Sequence, residues 1–125
     1  FEPDLGAQDV LTEVRVPRTR GAGWSYVKFH PRAQDWAIVG IAALVERSNG
    51  GIGSARVGLT NMGPVPMRAA AFEQALVSGA DVREAAERVT EGTSPVSDPF
   101  AAAEYRTELA KVLARRAVEE ALARS

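Results

Sequence analysis

Lys28, His30, Arg32 and Asp35 place four chargeable side chains in one short stretch, with Tyr26 before them and Trp36 after. A hydrolase built on these would need a hydroxyl held beside the histidine and an acid behind it. Ser25 and Ser54 are the nearby hydroxyls in sequence, and no nucleophile-elbow pattern surrounds either one. The residue types fit a charged, aromatic-lined rim that touches a ligand supplied from elsewhere. An ordinary solvated strand end has the same spacing, so both readings stand at this point. Gly50-Gly51-Ile52-Gly53 has the look of a phosphate loop, but such loops need a helix after them. A strand follows here, which makes a hairpin turn the better reading. Gly63 sits beside Pro64 and Pro66, and each proline removes an N–H donor. A rigid connector suits this stretch better than an anion site. Arg18, Arg20, Arg115 and Arg116 read as solvated surface.

The elements that must hold these residues are organised around residues 36–45. Nine apolar residues follow Trp36, with β-branched Ile38, Val39, Ile41 and Val45 among them. This reads as a buried strand; Gly40 and the β-branched residues disfavour the competing helix. Ile38, Gly40, Ala42 and Leu44 would share one face, and bulkier Val39, Ile41 and Val45 the face that meets the helices. Residues 10–16 alternate as a strand, Thr12, Val14 and Val16 against Leu11, Glu13 and Arg15, and Pro17 stops it. Residues 24–29 form another, with Trp24, Tyr26 and Lys28 on one face. Residues 54–60 form a fourth, with Ala55, Val57 and Leu59 together. Short connections favour antiparallel neighbours.

After Asn61 the pattern turns helical. A first helix is expected from Pro66 to Gly79, with Ala69, Phe72, Ala75 and Leu76 as its stripe. A second is expected from the Asp81 cap to Gly92, with Glu84 completing a capping box. A third is expected from the Asp98 cap and Pro99 to about Ala123. Its inward stripe would be Tyr105, Leu109, Val112, Leu113, Ala117 and Ala121. Strands about 10–60 followed by helices about 66–123 make an α+β fold: a small antiparallel sheet of three to four strands packed against three helices as a two-layer sandwich. The expectation is one domain over residues 1–125.

With 125 residues, 46% of them hydrophobic, the chain can bury a core. A net charge of −1 gives no general attraction to nucleic acid or anionic membranes. There is no cysteine and only one histidine, which excludes thiolate, iron–sulfur and multi-histidine metal sites within this chain. No apolar run approaches the ~20 residues of a membrane-spanning helix.

An ordered series of segments carries a family resemblance. It runs through Tyr26-Val27-Lys28-Phe29, Arg32, Asp35-Trp36-Ala37 and residues 55–64, then Pro66 and Arg68-Ala69. It ends with Glu104-Tyr105-Arg106, Leu109-Ala110, Val112-Leu113 and Arg115-Arg116-Ala117. The chain, from about Leu11 to Ala121, resembles the C-terminal domain of the FAD-binding medium subunit of carbon monoxide dehydrogenase, and more distantly xanthine dehydrogenase. The resemblance implies an oxidoreductase component. FAD would be held mostly by an upstream domain, with iron–sulfur clusters on a small subunit and a molybdenum cofactor on a large one as partners. It implies contacts to FAD from Lys28, Asp35 and Leu11, with Tyr26 against the ring system, no catalytic or metal-ligating residue, a cytoplasmic setting, and an inactive isolated fragment. A structural assembly module without flavin is the rival reading.

Overall fold

The computed structural model describes residues 4–19 and 21–125, so Arg20 of the predicted basic turn lies outside the described residues. Four antiparallel strands form one sheet in the order β1-β2-β3-β4: β1 Gly23–Phe29, β2 Val39–Ser48, β3 Gly51–Thr60 and β4 Met67–Arg68. Three helices follow: α1 Ala70–Val77, α2 Val82–Ala86 and α3 Ala103–Leu122. This is the expected α+β two-layer arrangement. α3 lies across β1 and β2, α1 covers β3, and α2 packs on both helices.

The period-2 pattern selects the faces. Val39, Ile41 and Val45 are fully buried toward the helices, as are Val57 and Leu59 of β3. Ser25 and Val27 of β1 pair across from Ala43 and Ile41 on that side, while Tyr26 and Lys28 oppose Ala42 and Gly40 on the outer side. β2 and β3 meet through Asn49 and Gly50, both at positive φ (50° and 80°). Two consecutive left-handed residues are the two-residue turn that matches strand twist. The glycine-rich stretch is therefore a hairpin, not a phosphate loop.

Several expectations are corrected. β2 starts at Val39, and Trp36 stands 81% exposed in the crossing before it. Residues 10–16 form no strand. Val10, Leu11, Val14 and Val16 are exposed, because no strand of this sheet lies beside them. The fourth strand is instead β4, in a stretch expected to open the first helix. It is short because Pro64 and Pro66 carry no N–H to donate. The Glu73 carboxylate then continues the ladder in place of a strand. It accepts from the Val57 amide at 2.6 Å and pairs with Arg68 at 2.6 Å. α1 ends as expected at Gly79 (φ 89°), whose amide and that of Ala80 bond back to Leu76 and Ala75. Asp81 caps α2 through the Arg83 amide, but that helix stops at Ala86; turns continue to Gly92.

α3 begins at Ala103, not at Asp98. Ser97 Oγ accepts from the Ala103 amide at 2.9 Å, and Asp98 caps the preceding turn instead. Its buried stripe is Arg106, Ala110, Leu113, Ala114, Ala117, Val118 and Ala121, while Tyr105 and Val112 are exposed. Alanines let the helix backbone approach the sheet more closely than larger side chains allow.

Candidate functional site

The crossing between β1 and β2 is pinned at three points. The Ile38 amide bonds to Phe29 at 2.8 Å, the Asp35 amide to Arg32 at 3.0 Å, and the Asn61 side chain to the Ala37 carbonyl. Asn61 holds φ 59° just after β3, a left-handed conformation that asparagine tolerates better than most residues. It turns the chain back over the sheet. The outer face of the sheet, the crossing and residues 61–66 thus enclose a cleft of about 520 Å³.

Three of the four predicted site residues meet in this cleft: Tyr26, Lys28 and Asp35 all line it. Lys28 Nζ donates to the Asp35 backbone carbonyl at 3.0 Å, not to its carboxylate. Leu11 is not among the lining residues; it is 65% exposed in the segment before β1. Thr60 and Asn61 also line the cleft and were not singled out from the sequence. Thr60 Oγ1 is buried and has no hydrogen-bond partner among the described residues. Gly40 is buried beneath the cleft, and its missing side chain lets Thr60 and the Tyr26 hydroxyl pack close over it. A methyl there would lie 2.7 Å from Thr60 Oγ1 and 3.4 Å from the Tyr26 hydroxyl. No group of His, Cys, Asp and Glu among the described residues could hold a metal ion.

A second hollow of about 350 Å³ adjoins the first across Asp35, Trp36, Ala37 and Asn61. Its base is the ion pair of Asp98 and Arg106. Arg106 is 3% exposed and also donates to the Ile38 carbonyl. Sequence reading assigned Asp98 to a helix cap and passed over Arg106. One signal was present: 106, 110, 113, 117 and 121 follow helical spacing on the buried stripe.

Asp98 also supplies a pH dependence. The amides of Ala101 and Phe100, each at 2.9 Å, hold its carboxyl below the usual carboxylate value, and Arg106 adds to this. A carboxyl with a depressed folded-state pKa stabilises the fold above its unfolded value of about 3.9 and loses that effect as pH falls further. Melting temperature should therefore decline below about pH 4. Asp98→Asn should make that decline shallower. Parallel melting curves of the two proteins between pH 3 and pH 7 would refute the assignment.

Fold and cleft together define a small α+β domain with an open hollow on the outer face of its sheet. The chain belongs to the CO dehydrogenase flavoprotein C-terminal domain family, whose model matches residues 24–121. It is 36% identical to the carbon monoxide dehydrogenase medium chain of Afipia carboxidovorans, over 94% of this chain and 42% of that one. It is 30% identical to the medium chain of the same name from Hydrogenophaga pseudoflava, over 96% of this chain and 44% of that one. Reconstituted CO dehydrogenase from Oligotropha carboxidovorans is similar in structure. Its TM-score is 0.75 at 38% identity, over 90% of this chain and 40% of that one. The chain thus spans less than half the length of the curated relatives it matches.

Proposed function

We propose that this chain is the C-terminal domain of the FAD-containing medium subunit of a molybdenum-hydroxylase-type dehydrogenase. In this reading it closes over the flavin and docks the small iron–sulfur subunit and the large molybdenum subunit, in the cytoplasm. One observation carries it: Lys28 and Asp35, which match by position the family's flavin-edge lysine and the acid near it, line a single cleft together with Tyr26. The residues present fit one end of FAD. A hollow of this size suits a fused-ring system, and its walls combine the Tyr26 ring, the Lys28 cation and the apolar Pro64, Val65 and Pro66. The Asn49–Gly50 hairpin offers no pyrophosphate loop, so the rest of the dinucleotide belongs to other parts of the subunit.

FAD bound there would supply the electron-accepting chemistry. The chain's own contribution is electrostatic and positional. Lys28 brings a cation, anchored on the crossing by its bond to Asp35, toward charge that develops on reduction. Tyr26 offers a ring and a hydroxyl, and Asp35 fixes the crossing. Leu11 is assigned an apolar contact from upstream of β1. Lys28→Ala in the full-length subunit should make flavin reduction less favourable by about tenfold, a modest electrostatic effect. Melting temperature should change little, because a single partly buried hydrogen bond is lost. An unchanged flavin potential and unchanged FAD affinity in that variant would move the assignment to an assembly module that takes no part in the flavin site. By the same reading, the isolated chain should show no tight saturable quenching in a fluorescence titration with FAD.

A further inference from the structure

The cleft has one wall built into the sheet and one that must be held in place. β3 stays in register with β2 up to the pair Thr60 and Gly40, and Gly40 pairs in turn with Lys28 of β1. Lys28, Gly40 and Thr60 thus form one row across three strands. Just past that row the chain is fixed again. Met62 is fully buried, and its carbonyl accepts from the Ser94 amide at 2.9 Å. Asn61 stands between these two anchors at φ 59°. The crossing opposite is built differently. Its ladder pairing ends at Phe29 and Val39, and residues 31–34 are exposed. Asp35 and Ala37 belong to no strand.

Two side chains of the cleft bond to the backbone of that crossing. Lys28 Nζ donates to the Asp35 carbonyl at 3.0 Å, and the Asn61 amide donates to the Ala37 carbonyl. The two acceptors are two residues apart, joined by planar peptide units that carry a shift of one to the other. Arg106 holds the next residue, Ile38, from the helical side; Asn61 holds Ala37 from the cleft side. The lysine ammonium has three protons and spends one on Asp35, so that carbonyl directs where the other two point. Position 61 needs a side-chain N–H within reach of Ala37 and a backbone that tolerates positive φ. Asparagine supplies both; glycine supplies only the second.

We propose that Asn61 is a positioning residue for the flavin edge. By holding the Ala37 carbonyl it fixes the Asp35 carbonyl, and through it the direction in which Lys28 presents its charge. Asn61 itself needs no contact with the flavin. The proposal rests on reading the cleft as the flavin edge.

The test uses the full-length subunit and Asn61→Gly, which keeps the left-handed backbone and removes the amide. Two readouts separate the proposal from the reading it rests on. In the flavin-free subunit, trace acetylation read by mass spectrometry should label Lys28 about threefold faster relative to Lys111, the effect of loosening one ordinary hydrogen bond. Lys111 serves as reference because it sits on α3 and pairs with Glu87 and Glu108. In the FAD-loaded subunit, Asn61→Gly should make flavin reduction about threefold less favourable, a smaller change than removing the cation. Added to Lys28→Ala it should change nothing further, because both substitutions act through one charge. Asn61→His, which also tolerates positive φ and offers a ring N–H, should restore both values. If Asn61→Gly matches the parent in both readouts while Lys28→Ala shifts reduction, the proposal is overturned and the flavin reading stands. An equal shift with and without Lys28 also overturns it. If neither substitution moves flavin reduction, the flavin reading fails and the proposal falls with it.

Discussion

One methyl group at Gly23 is expected to lower the melting temperature by about 10–15 °C, the equivalent of roughly 3 kcal/mol in a domain of this size. Gly23 is where β1 meets the end of α3. A Cβ there would lie 1.8 Å from the Ala121 carbonyl oxygen and 2.8 Å from the Ser125 amide nitrogen. Non-bonded carbon contacts are comfortable only near 3.5–4.0 Å, and both obstacles are backbone, so no rotamer change relieves the clash. The helix would have to retreat, and it is tied down on two sides. Ser25 Oγ donates to Glu120 at 2.6 Å, and Arg124 donates to the Trp24 carbonyl at 2.9 Å. Arg124 also stacks over the Trp24 ring at 5.1 Å. Arg47 of β2 donates to the Leu122 carbonyl at 3.1 Å and to Ser125 Oγ at 2.9 Å, placing a cation at the helix C-terminus. Moving α3 breaks these bonds; keeping them forces a steric overlap. Gly58→Ala is the matched control, because a methyl at Gly58 meets nothing within 4 Å. Urea denaturation of both variants decides the matter: the explanation fails if Gly23→Ala stays within about 0.5 kcal/mol of the parent, the range of an ordinary surface change.

That close approach explains which parts of the molecule the sequence declares and which it conceals. The strand faces of β1, β2 and β3 are legible because alternation is a local property: Ile41 and Val57 turn inward whatever lies across from them. The Asp81 cap and the Gly79 stop are local too. The face of α3 was displaced by its neighbour. A hydrophobicity pattern ranks Tyr105 and Val112 above Ala110 and Ala114, but the sheet selects small residues where the helix must come near. β4 was hidden for another reason. It is held by backbone bonds and by the Glu73 carboxylate, none of which leaves a side-chain pattern. The cleft was half legible. Tyr26, Lys28 and Asp35 declared themselves by type and spacing, and the resemblance gave them a role. Thr60 and Asn61 matter because of where β3 ends and of an asparagine at positive φ, and neither follows from residue type. Residues 10–16 show the reverse case. Their strand pattern is plain, yet the sheet of this domain has no place for it.

Arg106→Ala is expected to cost about 3–5 kcal/mol, among the largest effects of any single substitution here. The side chain is 4% exposed and joins three elements: α3, the Asp98 turn and the entry to β2. Truncation leaves the Ile38 carbonyl without its charged donor, at about 1–3 kcal/mol for an unsatisfied buried group. It also opens a void behind the hollow walled by Trp36 and Phe100. Asp98 suffers less, since it keeps the Phe100 and Ala101 amides and is partly open to water. The guanidinium itself is imperfectly served. Its Nε is buried with no partner among the described residues, which offsets part of what the ion pair contributes. Arg106→Met therefore separates two contributions. Methionine refills most of the volume with a flexible apolar chain but cannot bond to Ile38 or Asp98. If packing dominates, Arg106→Met should recover more than half of the loss seen in Arg106→Ala. If the bridge to Ile38 dominates, the two variants should unfold at nearly the same urea concentration. The second result also carries a functional consequence. Ile38 lies next to Ala37, whose carbonyl holds Asn61, and Ala37 and Asn61 both wall the cleft beside Lys28. An arginine on the helical face would then be setting the position of the crossing that carries Asp35 and anchors Lys28 on the opposite side of the sheet.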